Sequence, residues 1–192
     1  QQVAGIPGTL NWLNQVHGIA VHPVSDRYER EPDADAACAR EAGQACIVMT
    51  ADCLPVLFCD RAGTVVAAAH AGWRGLQGGV LEASIAAMGC EPGEILAWLG
   101  PAIGPAAFEV GGEVRDAFMA EQAEAVTAFV PSLNEGKWLA DIYQLARLRL
   151  ARAGVTAIYG GEYCTFSDSE RFYSYRRDGQ TGRMASLVWL EK

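Results

Sequence analysis

Apolar positions in this chain follow two rhythms. Short continuous runs recur as Cys46-Ile47-Val48-Met49, Val56-Leu57-Phe58-Cys59, Val65-Val66-Ala67-Ala68-Ala69 and Ile95-Leu96-Ala97-Trp98-Leu99. Runs of this length between turn residues read as strands covered on both faces. Pro55 interrupts the approach to the second run and Asp60 ends it, while Gly100-Pro101-Ala102-Ile103-Gly104-Pro105 after the fourth must be loop. Elsewhere the spacing is helical. Val80, Leu81, Ser84, Ile85 and Met88 share a face, and Gly89 supplies a left-handed stop. A helix is predicted from Glu113 to Gln122. Another is capped by Asp141, runs to Arg152 and is ended by Gly154. Val155 to Tyr159 reads as a strand. Phe172 to Arg176 alternates like one, Asp178-Gly179 marks a turn, and Met184 to Leu190 closes the pattern. Helices and strands intermix without a linker, internal repeat or low-complexity tract. The expectation is one α/β domain with mixed sheets covered by helices.

Composition supports that picture and narrows the partners. With 51% hydrophobic residues in 192, the chain can bury one large core. A net charge of −8 repels phosphate backbones, so nucleic acid is not an expected partner. The local cluster Arg171, Arg176, Arg177 and Arg183 leaves room for a small anionic substrate. Six cysteines, Cys38, Cys46, Cys53, Cys59, Cys90 and Cys164, in a chain this long read as free thiols in a reducing compartment. No run of 18 apolar residues and no basic-then-apolar leader occurs, so no membrane partner is expected and a cytoplasmic location is.

Chemistry concentrates in few residues. Of three histidines, His17, His22 and His70, the last ends an apolar run before Gly72, and Cys53 stands in a similar place after Asp52. Functional groups collect where strands run out into loops. Two imidazoles and a thiolate from His17, Cys53 and His70, with a fourth position open, match a catalytic zinc arrangement, and copper accepts the same ligands. The plain alternatives are a buried thiol, an imidazole satisfied by a carbonyl and a surface loop residue. A Cys53–His70 or Cys53–His17 pair for nucleophilic attack is a further reading, which requires thiolate-forming surroundings such as a nearby Arg74. Asp52 can orient a histidine, act as a base or merely cap a turn. Arg74, between glycines, is placed to reach an anion. Tyr173 with Arg176 or Arg177 can stack a base and meet phosphate. Glu109 is expected in a structural hydrogen bond and Cys164 in the core.

Five segments together carry a family resemblance. They are Trp12-Leu13-Asn14-Gln15-Val16-His17-Gly18, Thr50-Ala51-Asp52-Cys53-Leu54-Pro55-Val56, His70-Ala71-Gly72-Trp73-Arg74-Gly75, Gly100 to Pro105, and Phe172 to Gly179 through Thr181-Gly182-Arg183. From Trp12 to Leu190 the chain resembles the YfiH/YlmD family, also called the multicopper polyphenol oxidase or laccase-domain family. The resemblance implies a mixed α/β fold of cysteine-hydrolase type and a zinc site made by His17, Cys53 and His70. It also implies purine nucleoside phosphorylase activity on adenosine, inosine, guanosine and methylthioadenosine, with adenosine deaminase activity besides. Catalytic roles are expected for Cys53, His70, Asp52 and Arg74, and substrate contacts for Gln15, Arg74, Tyr173, Arg176 and Arg177. Copper-dependent polyphenol oxidation and Cys53-based hydrolysis are the alternative chemistries. Two departures stand out. The family's N-terminal part is expected to be missing before Gln1, leaving one incomplete domain over residues 1–192. Ala106-Ala107-Phe108 also stands where many members carry cysteine and tyrosine.

Overall fold

The computed structural model describes residues 10, 12–24 and 30–191. In chain order the elements are β1 (Val21–Pro23), β2 (Ala36–Ala39), β3 (Ala45–Thr50), β4 (Leu54–Asp60), β5 (Val66–Ala71), α1 (Trp73–Gly78), α2 (Val80–Met88), β6 (Ile95–Leu99), β7 (Glu109–Gly111), α3 (Gly112–Glu121), β8 (Phe129–Pro131), β9 (Lys137–Ala140), α4 (Ile142–Arg152), β10 (Ala157–Gly160), α5 (Tyr175–Asp178) and β11 (Met184–Trp189). Short 3-10 turns cover Pro92–Glu94 and Ala123–Ala128.

Small side chains decide the layering. Successive residues of a strand point to opposite faces. In β5, Ala67, Ala69 and Ala71 join one apolar cluster with Val80, Leu81, Ile85 and Met88 of α2 and Leu145 and Leu150 of α4. Val66 and Ala68 join a second cluster with Ala37 and Ala39 of β2 and Cys46 and Val48 of β3. The centre of the main sheet is thus buried on both faces, which is why β4 and β5 read as nearly unbroken apolar runs. Its order is β1-β2-β5-β4-β6-β10, with β4 and β5 antiparallel at the centre. The pair β11-β3 covers one face and the helices cover the other. A three-stranded sheet, β7-β9-β8, sits beside α3. Phe58, Phe118, Leu54, Leu81 and Met88 are among the fully buried side chains. Each contributes about 1.5–3 kcal/mol on burial, so this core can stand without a metal clamp. Among the described residues no helix is long and apolar enough to cross a membrane.

The helices Val80–Met88 and Ile142–Arg152 form as their spacing predicts. Gly89 takes φ 59° at the end of the first, and Asp141 accepts from the Gln144 amide at 2.9 Å to cap the second. Three expectations change. The strand from Val65 continues through His70 to Ala71, and α1 begins two residues later at Trp73. Pro55 lies within β4 rather than breaking it. As the second residue it faces His70 of β5, and pairing with β6 starts only at Val56, so its missing N–H leaves little unpaired. The alternating stretch from Phe172 is not a strand. Ser174 accepts from the Arg177 amide at 3.2 Å and Asp52 from the Arg176 amide at 2.7 Å, and two acceptors at an N-terminus favour the helical turn α5.

Candidate functional site

The β4–β5 register brings two of the chemical groups together. Leu54 faces Ala71 and Pro55 faces His70, so Cys53, just before β4, lies beside the end of β5. His17 arrives from the loop before β1, in the left-handed conformation with φ 60°. One ligand atom from each of His17, Cys53 and His70 lies within 4.8 Å of the others. The two imidazoles meet edge to face, their centroids 4.9 Å apart at 80°. Gly72 makes the approach feasible, since a β-carbon there would sit 2.9 Å from His17 Cδ2 and 3.1 Å from Cys53 Sγ.

A residue that drew no attention in the sequence supports this cluster. Asp35 is fully buried. Its Oδ1 accepts from His70 Nδ1 at 2.8 Å and from the His17 amide at 2.9 Å, and its Oδ2 accepts from the Val16 and Gly18 amides at 3.1 and 2.7 Å. The only sequence signal is a carboxylate at the head of the short apolar run Ala36-Ala37-Cys38-Ala39.

Charge is redistributed within the cluster. Burial pushes the Cys53 thiol up, but hydrogen bonds and charge from His17 and His70 outweigh it and bring its pKa down to about 7. Burial disfavours the His70 imidazolium, yet Asp35 and Cys53 together lift its pKa to about 9. Burial also works against the Asp35 carboxylate, and His70 with the loop amides holds it below its ordinary range.

The three residues open on a cavity of about 630 Å³. Arg74, Arg176 and Arg183 stand on its wall with the apolar surfaces of Phe108 and Tyr175. The Arg74 guanidinium lies over the Trp73 ring at 4.5 Å. Arg176 donates to the Glu109 carbonyl at 2.9 Å, which steadies it near the wall. Thr50 also lines the cavity, and its buried hydroxyl has no hydrogen-bond partner among the described residues.

Several expected site residues have other employment. Asp52 lines the cavity too, and its two carboxylate oxygens accept from the Thr165 hydroxyl at 2.6 Å and the Arg176 amide at 2.7 Å rather than from a histidine among the described residues. Gln15 lines the cavity, but its amide exchanges two hydrogen bonds with the Met49 backbone, at 2.7 and 2.8 Å. The Arg177 guanidinium donates to the Thr165, Phe166 and Phe172 carbonyls at 2.8, 2.9 and 3.0 Å and is not on the cavity wall. Tyr173 is also off the wall, its ring packed on Gly182. The helical turn presents Tyr175 instead. Both differences follow from α5, because a helix sends successive side chains about 100° apart where a strand alternates. Glu109 accepts from Ser132 Oγ and Asn134 Nδ2, a structural arrangement. Cys164 is half-buried rather than in the core, and the Gly104 amide reaches its sulphur at 3.2 Å. The Gly100–Gly104 loop packs behind the site, with the Ile103 amide on the Asp52 carbonyl at 2.9 Å.

The chain is similar to several bacterial proteins over most of its length. A Pseudomonas aeruginosa protein named as a purine nucleoside phosphorylase is 64% identical over 181 residues, which is 94% of this chain and 74% of that protein. The Escherichia coli purine nucleoside phosphorylase YfiH is 58% identical over 185 residues, 96% of this chain and 75% of its own length. Among solved structures, a Neisseria meningitidis protein superposes with a TM-score of 0.93 at 57% identity, covering 98% of this chain and 76% of that one. YlmD from Geobacillus stearothermophilus superposes with a TM-score of 0.87 at 31% identity, covering 95% and 74%. The sequence model described as multi-copper polyphenol oxidoreductase laccase matches residues 1–191. With a conserved-length match of that extent and relatives this similar, the chain belongs to the multi-copper polyphenol oxidoreductase laccase family, whose structures include the YfiH and YlmD proteins.

Proposed function

We propose that the protein is a zinc-dependent purine nucleoside phosphorylase acting on adenosine, inosine, guanosine and methylthioadenosine, with adenosine deaminase activity at the same site. The observation that carries this reading is the His17–Cys53–His70 cluster opening on a cavity walled by three arginines. A volume near 630 Å³ is within the range of small-molecule sites and accommodates a nucleoside with a phosphate. The names of the bacterial relatives support its phosphorylase part.

The donor set fits a metal. A thiol with a pKa near 7 is substantially thiolate at neutral pH, and two imidazoles complete three protein ligands facing open space. His17, Cys53 and His70 would hold it. When bound, zinc supplies a Lewis-acidic centre, the chemistry that hydrolytic deamination at purine C6 requires. Copper accepts the same donors. Electron relay to oxygen through several copper centres would call on more histidines than the three in this sequence, so oxidation ranks below nucleoside chemistry.

In phosphorolysis a phosphate oxygen bonds to the anomeric carbon as the bond to the purine nitrogen breaks. The base leaves with that electron pair and takes up a proton, giving free purine and ribose 1-phosphate. Arg74, Arg176 and Arg183 offer rigid donor forks for the phosphate. Aiming them at the attacking anion orients it and excludes water from its place. Phe108 and Tyr175 offer apolar faces for the base and sugar.

A second reading has its own observation. Cys53, His70 and Asp35 form a thiol–imidazole–carboxylate chain, the arrangement a cysteine hydrolase uses. The deciding experiment measures zinc content and base release from the nucleoside panel with and without phosphate. Phosphate-dependent release of purine and ribose 1-phosphate by a zinc-loaded protein is expected. Absence of release, or release indifferent to phosphate, would retire the phosphorylase reading.

A further inference from the structure

We infer that Asp35 is the positioning residue that presets both histidines of the metal site, fixing the tautomer of one and the backbone of the other. The inference rests on the metal-site reading above and deepens it.

Four donors converge on this buried carboxylate, and they come from two directions. From β5, His70 Nδ1 lies 2.8 Å from Oδ1. From the loop, three consecutive amides, Val16, His17 and Gly18, point at the two oxygens at 3.1, 2.9 and 2.7 Å. Backbone amides cannot become acceptors, so the carboxylate must accept from all three, and it keeps an acceptor for the ring. An imidazole that donates through Nδ1 carries its lone pair on Nε2, the form a metal requires. Once the ring has given up a proton, Asp35 therefore selects the tautomer that turns the free nitrogen of His70 toward Cys53 and His17.

The loop side is set by the same charge. Three successive amides can face one anion only if the chain curls, and His17 takes φ 60° to do so. That conformation is unfavourable for a residue with a β-carbon. The anion compensates, and in curling the loop it delivers the His17 ring to within reach of the other two ligands. Asp35 itself is held by its backbone, its amide on the Ala20 carbonyl at 3.1 Å and its carbonyl receiving the His70 amide at 2.7 Å. One residue thus couples two ligands that arrive on separate segments.

Asparagine at this position has nearly the same shape and half the acceptors. With its oxygen toward Val16 and Gly18, its amino group meets His70 Nδ1 and drives the ring to the tautomer that cannot bind through Nε2. With its oxygen toward His70, it keeps the His17 amide, but the amino group faces the Val16 and Gly18 amides and uncurls the loop on either side of His17. Either orientation removes one preset ligand.

The test is a cobalt(II) titration of the wild-type protein, Asp35→Asn and Asp60→Asn, followed by d–d and thiolate charge-transfer absorption. Asp60 is another buried carboxylate, but its bonds are confined to its own turn: it accepts from the Thr64 and Val65 amides at 2.7 and 3.0 Å and from the Thr64 hydroxyl at 2.6 Å. Asp60→Asn is expected to melt earlier and bind cobalt as wild type does. Asp35→Asn is expected to bind about 10- to 100-fold more weakly with a changed d–d envelope while the thiolate band persists. Equal affinity and equal spectra for Asp35→Asn and wild type would overturn the role of Asp35 while leaving the metal site standing. No cobalt binding by wild type would bring down the metal-site reading and this inference with it. Should Asp35→Asn fail to fold, the zinc-loaded wild-type protein decides. Long-range proton–nitrogen correlation must place the His70 proton on Nδ1, and a proton on Nε2 overturns the proposal.

Discussion

Gly72 and His17 meet through a gap that no β-carbon can enter, because one built on Gly72 would lie 2.9 Å from His17 Cδ2. The Gly72 backbone itself, at φ −63° and ψ 158°, is open to any residue, so alanine there meets a steric clash without backbone strain. Gly72→Ala is expected to push His17 and Cys53 apart and lose most bound zinc with little change in secondary structure. Zinc per chain after dialysis, beside circular dichroism, checks this. Full zinc occupancy would show that the three ligands tolerate the extra methyl.

Cys53→Ser exchanges a thiolate for a poor ligand in the same volume. Loss of most zinc and most base release is expected, with the fold kept by its large core. Zinc content and turnover on adenosine plus phosphate are measured together. A zinc-replete, inactive Cys53→Ser protein would move the assignment to the cysteine-hydrolase reading.

Metal uptake should release protons in a pH-dependent way. Bound ligands are thiolate and neutral imidazole. His70, with a pKa near 9, must lose its proton below that pH, and Cys53, near 7, must lose its own below 7. The affinity for zinc should therefore rise with pH by about tenfold per unit between 7 and 9, more steeply below 7, and level off above 9. Competition with a chelator across this range gives the slope. An affinity flat from pH 6 to 9 would contradict the thiolate–imidazolium pairing.

The arginines separate into two kinds. Arg74 and Arg176 line the cavity, whereas Arg177 holds three loop carbonyls. A charge-assisted hydrogen bond contributes about 1.5–3 kcal/mol, so Arg74→Gln or Arg176→Gln should raise the KM for phosphate about tenfold or more. The KM for adenosine should change little. Arg177→Gln should instead lower the melting temperature and leave the phosphate KM near wild type. Initial rates at varied phosphate, with a melting curve for each variant, test the division. The opposite pattern would move the anion site toward Arg177.

What was legible in the sequence were the elements whose own residues determine them. The Val80–Met88 and Ile142–Arg152 helices carry a full apolar stripe and a recognisable end, and the runs that became β3, β4 and β6 are bounded by turn residues. Helix α1 was hidden because Gly72 and Gly75 look like loop. Gly75 is small for a tertiary reason, since a β-carbon there would lie 2.8 Å from the Gly18 carbonyl. Helix α5 depends on Asp52, a partner 124 residues away, which outweighs the local alternation. The site divides the same way. His17, Cys53 and His70 stand out as residue types, but their convergence depends on the β4–β5 register and on a loop docked by Asp35. A lone aspartate before two alanines gives no hint of that task.

The bond from the Arg176 amide to Asp52 spans 124 residues, and that from the Thr165 hydroxyl spans 113. The site therefore draws its residues from two stretches of the chain that are made at different times. His17, Asp35, Cys53 and His70 have all emerged before residue 72, whereas the arm bearing Arg176 follows more than a hundred residues later. At about 5–20 residues per second, that interval lasts roughly 5 to 20 s. The cavity wall is therefore completed last, by Arg176 and Arg183, after every residue of the His17–Cys53–His70 cluster has been made.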